Sequence, residues 1–191
     1  MKRQAILIGL MAMMLTMASC NKQDKSSNTN DATSTATENT QAKTSDSATT
    51  DSDYTGIPDF TLGTPDGTPL SIMSEVSKNK ITILDFWASW CQPCMHEMPF
   101  MKDLYAKYHS KGLGIVGISL DTEREAWQQA ISRLGIEWPQ VSDLQGWDSK
   151  PAREFNVRAI PHIIIVDYSG DIIEMGLRGE ELQKFIGSLL D

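Results

Sequence analysis

Apolar positions are spread unevenly along the 191 residues. Residues 5–16 form one short apolar stretch, residues 21–53 hold no Val, Ile, Leu, Met or aromatic residue, and patterned runs begin at Tyr54. Two runs are continuous, residues 80–86 and 114–120, and read as buried strands. A third, residues 160–167, opens with Ile160-Pro161 and also reads as a strand. Helical spacing separates them. After the first strand come Met95, Met98, Met101, Leu104, Tyr105 and Tyr108, with Pro99 expected to kink the helix and Gly112 to close it. After the second come Trp127, Ala130, Ile131 and Leu134, introduced by a Thr122/Glu125 capping box and ended by Gly135. Leu182, Phe185, Ile186, Leu189 and Leu190 predict one face of a last helix. Shorter elements fill the gaps: strands at 58–62 and 65–70 around Asp66-Gly67, a Ser71-capped helical piece with Ile72, Met73 and Val76, and a strand at 138–141. A helix at 149–155 with Pro151 in its first turn and a strand at 172–175 paired back through a turn complete the set. Strand–helix–strand–helix followed by hairpin–helix predicts an α/β sandwich with a central mixed sheet and no internal repeat.

The first 53 residues cannot share that core, because they lack Trp, Phe and Tyr entirely. Lys2 and Arg3 followed by about a dozen apolar residues read as a targeting segment, too short for an ordinary membrane span. It ends in Met17-Ala18-Ser19-Cys20, which resembles a bacterial lipoprotein signal, with Met17 where leucine is usual. That resemblance implies removal of residues 1–19 and a lipid on Cys20; an ordinary secretory signal is the alternative, and both export the protein. Residues 20–53 then form a tether. Fourteen Ser or Thr in the 33 residues from 21 to 53 cannot bury enough surface to offset chain entropy. The folded domain is expected over 54–191, a length sufficient for one real core.

Charge narrows the function classes. The whole chain carries 17 Lys+Arg against 25 Asp+Glu, a formal net charge of −8. An acidic chain without a basic stripe is a poor candidate for nucleic acid. Cysteine usage is more informative. If Cys20 carries the lipid, only Cys91 and Cys94 remain, and two thiolates alone cannot close a structural zinc site.

Those two cysteines stand where the first strand feeds a helix. At a helix's first turn a sulfur faces unpaired N–H groups and the positive end of the dipole, which favour thiolate. Cys94, one turn on, can attack a mixed disulfide formed at Cys91, which is thiol–disulfide exchange. A staple closing so small a loop constrains little of the unfolded chain, so a purely structural disulfide is the weaker reading. Asp85 sits among Ile83, Leu84, Phe86 and Trp87, unexpected for a core strand, and burial there would raise its pKa. A partly exposed strand-end carboxylate is the alternative. Glu97, three residues after Cys94, can share its helix face, or be an ordinary solvated side chain.

The segment Asp85-Phe86-Trp87-Ala88-Ser89-Trp90-Cys91-Gln92-Pro93-Cys94, with Pro99 and the distant Ile160-Pro161 strand, resembles the thioredoxin superfamily over roughly residues 57–190. The front hairpin, the long insertion between Leu120 and Pro161 and the leader resemble its TlpA/ResA-like branch, membrane-tethered thiol–disulfide oxidoreductases of the bacterial envelope. The resemblance implies a thioredoxin-like fold with an N-terminal β-hairpin and an inserted helix/strand segment. It implies Cys91 as the exposed attacking sulfur, Cys94 as resolving sulfur, Asp85 and Glu97 in proton handling, and a cis-proline at Pro161. Ile160, Pro161 and Trp90 would line a substrate groove, while Trp87 belongs to the core. Gln92-Pro93 stands where thioredoxins carry Gly-Pro.

The same resemblance implies a reductant of disulfides in partner proteins, recycled by a membrane electron-donor protein and working outside the cytoplasm, with apocytochrome c among the substrates of some relatives. No cofactor is expected. His96 and His162 lack a third partner of metal-ligand spacing and read as surface or groove residues, so no metal is expected either. Two other functions fit parts of the sequence. A peroxiredoxin (AhpC-like) thiol peroxidase shares the front hairpin but needs Thr three residues before its cysteine, where this chain has Ala88. A non-catalytic tethered module would use the groove for binding alone.

Overall fold

A computed structural model describes residues 56–191. The leader, Cys20 and the tether lie outside the described residues. At the front, β1 (Thr61–Gly63) pairs antiparallel with β2 (Pro69–Ser71). Their turn uses Gly67 at φ 88°, and the Asp66 carboxylate accepts bonds from Thr64 and from the Thr68 N–H and hydroxyl. Ser71 then caps α1 (Ile72–Val76), its Oγ accepting the Ser74 N–H at 3.0 Å.

The centre is β3 (Ile81–Trp87), followed by α2 (Gln92–Tyr108), a 3-10 turn at His109–Lys111 and β4 (Leu113–Ser119). The long helix continues through Pro99, which has no N–H to donate within it. Gly112 makes the turn back to the sheet at φ 110°, where an L side chain would be strained. Then come α3 (Arg124–Leu134), β5 (Gln140–Val141), α4 (Lys150–Glu154), β6 (His162–Asp167), β7 (Ile172–Met175) and α5 (Gly179–Leu190).

The five-stranded sheet runs β5-β4-β3-β6-β7. β3 is parallel to β4 and antiparallel to β6, so the sheet is mixed. Every residue of β3 and β4 is buried, as expected for strands covered on both faces. Register places Asp85 between Gly117 on β4 and Ile163 on β6. The front ribbon joins this body through Gly63, whose carbonyl accepts the Ser142 N–H at 2.9 Å.

Two local expectations change. The Thr122/Glu125 capping box does not form: Glu123 is the N-cap of α3 and no side chain caps it. The first residue of that helix, Arg124, instead sends its guanidinium to the Thr64 carbonyl of the front ribbon, 2.9 Å away. On α5 only Leu182 and Ile186 are buried and Leu189 is exposed, because the helix is the outer layer at the chain's end. β7, on the sheet edge, exposes Ile172, Ile173 and Met175.

Candidate active site

The site is assembled where β3 stops. Beyond Trp87 the chain turns through Ala88, Ser89 and Trp90, and the Cys91 N–H closes the turn on the Ala88 carbonyl at 3.1 Å. Cys91 is the N-cap of α2, with extended backbone, and its sulfur accepts the Cys94 N–H at 3.2 Å. A sulfur thus fills the place that Ser or Asp takes at other helix starts. Pro93 in the first turn forfeits no bond, since that N–H has no partner inside the helix. Cys91 and Cys94 form a disulfide, S–S 2.05 Å. On reduction, the same N–H and the helix dipole hold negative charge on Cys91.

The pair is less open than the sequence implies. Cys91, expected to be exposed, is 4 % exposed, and Cys94 is fully buried. The reason is the opposite wall: the Ile160 carbonyl oxygen stands 3.7 Å from Cys91 Sγ. Ile160–Pro161 is a cis peptide, and Pro161 is buried. Trp90, by contrast, is 55 % exposed and meets the equally open Trp147 with ring centroids 6.3 Å apart. Beyond Trp147 lies a cleft lined by Ala152, Arg153, Asn156, Val157 and Arg158. Trp87 is core, its Nε1–H donating to Gln140 Oε1 at 2.9 Å.

The two acids lie on the elements that meet at the site, Asp85 on β3 and Glu97 on α2. Asp85 is buried and its pKa is pushed up to about 7, first by burial and then by the like charge of Glu97, with the Arg178 cation pulling the other way. The strand-end alternative is thereby excluded. Glu97 is half-buried and accepts the backbone N–H of Gly179 at the start of α5. It is a tie between two helices, not a freely solvated side chain.

His96 is exposed, and His162 is half-buried beside the Phe86 ring, centroids 6.2 Å apart. Burial and the nearby Arg178 lower the His162 pKa, which keeps the imidazole neutral at pH 7. Among the described residues no three His, Cys, Asp or Glu side chains gather as a metal site.

Four contributors escaped the sequence reading. Asp121, buried just past β4, accepts the Ser89 N–H at 3.0 Å, the Ser89 hydroxyl at 2.5 Å and the Ser119 hydroxyl at 2.7 Å. It fixes the loop that delivers Trp90 and Cys91. An acid directly following a continuous apolar run was a usable signal, akin to the acid within such a run that marked Asp85. Ser89 is its partner. Trp147 and Arg178 had no local signal, since each matters only through residues far along the chain.

A mixed sheet with flanking helices and a Cys-x-x-Cys disulfide facing a cis-proline defines a thioredoxin-like thiol–disulfide oxidoreductase. The Redoxin family model matches residues 52–185, and the chain belongs to that family, in its TlpA/ResA-like part. The thiol-disulfide oxidoreductase ResA of Bacillus thuringiensis (strain Al Hakam) is 28 % identical over 127 residues, 66 % of this chain and 70 % of that protein. Among solved structures, a thiol-disulfide oxidoreductase from Bacteroides fragilis NCTC 9343 is 35 % identical, covers 70 % of this chain and 98 % of its own, and superposes with a TM-score of 0.65. The thioredoxin domain of a thiol-disulfide oxidoreductase from Bacteroides vulgatus is 29 % identical, with 70 % and 94 % covered and a TM-score of 0.64.

Proposed function

We propose that this protein is a lipid-anchored reductant of the bacterial cell envelope that reduces disulfides in partner proteins, apocytochrome c being one candidate. The observation that carries the reading is the Cys91 sulfur at the N-terminus of α2, 3.7 Å from the Ile160 carbonyl beside cis Pro161. A reduced Cys91 thiolate there attacks one sulfur of a substrate disulfide. The other substrate sulfur leaves as a thiolate and takes up a proton. Asp85, with a pKa near neutrality, accepts the proton of the buried Cys94 thiol, and Glu97 shares the charge. The Cys94 thiolate then attacks Cys91 Sγ, releasing the second substrate thiol and leaving the Cys91–Cys94 disulfide. Two electrons from a membrane dithiol donor restore the pair.

Trp90, Ile160 and Pro161 hold the substrate chain in this scheme, and the exposed aromatic face of Trp90 gives sequence-tolerant contact area. Residues 1–19 act as the signal, Cys20 carries the lipid, and 20–53 spaces the domain from the membrane by roughly 30 Å r.m.s.. No helix among the described residues is long and apolar enough to cross a membrane. Metabolic labelling with a fatty-acid analogue tests the anchor; absence of label on Cys20 removes it.

Cys91→Ser is expected to abolish reduction of a protein disulfide, while Cys94→Ser accumulates a mixed disulfide through Cys91. Undiminished reductase activity in Cys91→Ser refutes the assignment. The reduction potential of the pair decides direction: a value near that of thioredoxin, about −270 mV, fits a reductant, and one near −120 mV fits an oxidant.

A further inference from the structure

Two consecutive residues at the start of α5 grip the two walls of the site. Arg178 is the N-cap of that helix, with extended backbone at φ −147°, and its Nη2 donates to the Pro161 carbonyl. Gly179 donates its N–H to Glu97 on α2. The cis-proline loop and the cysteine helix are thus tied to one short segment. Neither bond follows from the periodicity of α5, and exchange chemistry between sulfurs does not require a guanidinium.

The groups around Asp85 give this arrangement a second consequence. From α2 comes Glu97, a like charge that raises the Asp85 pKa. From β6 comes His162, kept neutral and adjacent to Ile163, the register partner of Asp85. From β4 comes only Gly117, which has nothing to titrate. The cation acting on Asp85 is Arg178.

We propose that Arg178 is a positioning residue for the exchange reaction: it fixes the Pro161 backbone against the cysteine helix and offsets the like charges of Asp85 and Glu97. The second half rests on Asp85 accepting the Cys94 proton. Arg178 is exposed overall, so replacing it leaves the core untouched. Its two roles are chemically separable. Lysine keeps the charge but not the planar fork; glutamine keeps a donor for the Pro161 carbonyl but not the charge; methionine keeps neither.

The experiment uses the full chain with Arg178→Lys, Arg178→Gln and Arg178→Met. Asp85 is followed by carbon-13 NMR titration of its carboxyl in the oxidised protein. The resolution step is followed as release of a substrate thiol from a preformed Cys91 mixed disulfide, across pH. Removing the cation makes the charged carboxylate less favourable, so Asp85 holds its proton to higher pH. In Gln and Met variants its titration moves upward by up to about one unit. The acid limb of the resolution rate moves to higher pH with it, and Lys restores both. KM for a disulfide-bonded peptide rises severalfold in Met and less in Gln. An unchanged Asp85 titration in Met overturns the charge role, and an unchanged peptide KM in Met overturns the positioning role, even where the melting temperature falls. Asp85→Asn separates the two layers. If its resolution rate keeps the wild-type pH profile, Asp85 is not the proton acceptor, and the carboxyl titration in the Arg178 variants still decides the charge role of Arg178.

Discussion

Ser89 donates two hydrogen bonds to Asp121, through its backbone N–H at 3.0 Å and its hydroxyl at 2.5 Å, and together they hold the loop two residues before Cys91. The carboxylate also takes the Ser119 hydroxyl, so its removal strands several donors in a buried place. Asp121→Ala is expected to cost about 2–3 kcal/mol in urea unfolding, since bonds to charged groups and unsatisfied buried donors each cost in that range. The exchange rate should fall several-fold further than the loss of folded protein explains. A rate that tracks the folded fraction alone would separate Asp121 from the site.

Asp85 predicts an unusual pH dependence of stability. Its folded pKa is about 7 against 3.8 for the ordinary carboxyl, so the folded state binds the proton more tightly. Between those values the folded chain carries more protons than the unfolded chain, and stability from this group falls as pH rises. It is flat below about pH 4 and again above about pH 7. Asp85→Asn should remove that slope and leave the protein more stable than wild type at pH 8, by up to about 4 kcal/mol. Urea melts of both proteins at pH 5 and pH 8 check it; a larger gap at pH 5 contradicts it.

Trp90 offers a test of substrate contact without a large fold effect. It is more than half exposed, and its ring meets that of Trp147. Trp90→Ala should leave stability within about 1 kcal/mol. It should lower kcat/KM for a protein disulfide by about tenfold, a loss of roughly 1.4 kcal/mol, while reaction with dithiothreitol stays near wild type. Equal losses with both reagents would mean that the ring supports the loop rather than the substrate.

Gly117 reports on the sheet beside Asp85. A Cβ there would come within 2.3 Å of the Gln140 side-chain amide. That amide is held by its bond to buried Trp87 Nε1, so it has little room to withdraw. Gly117→Ala is expected to destabilise by about 1–3 kcal/mol through overpacking. Gln140→Ala in the same chain should recover part of the loss, readable as non-additivity in a double-mutant cycle.

The sequence carried the fold a long way. Continuous apolar runs at β3 and β4, helical spacing over α2 and α3, and Gly112 and Gly135 at the helix ends all correspond to the structure, because these signals are local and repeat several times. The errors have one character. The Thr122/Glu125 box was locally sound but lost to the reach of Arg124 across to the front ribbon. Leu189 matched the period of a buried face yet is exposed.

By itself, the sequence determined the redox pair, its place at a helix start, the anomalous acid on a core strand and the proline ahead of β6. Each of these is a residue type out of keeping with its immediate neighbours. Only the tertiary structure decided how far the disulfide is covered, that Asp121 grips Ser89, that Glu97 ties α2 to α5, and that Arg178 reaches Pro161. Those relations join segments distant along the chain. Their energies depend on distance and burial, which take values only once the sheet brings β3, β4, β6 and the start of α5 to one end of the molecule.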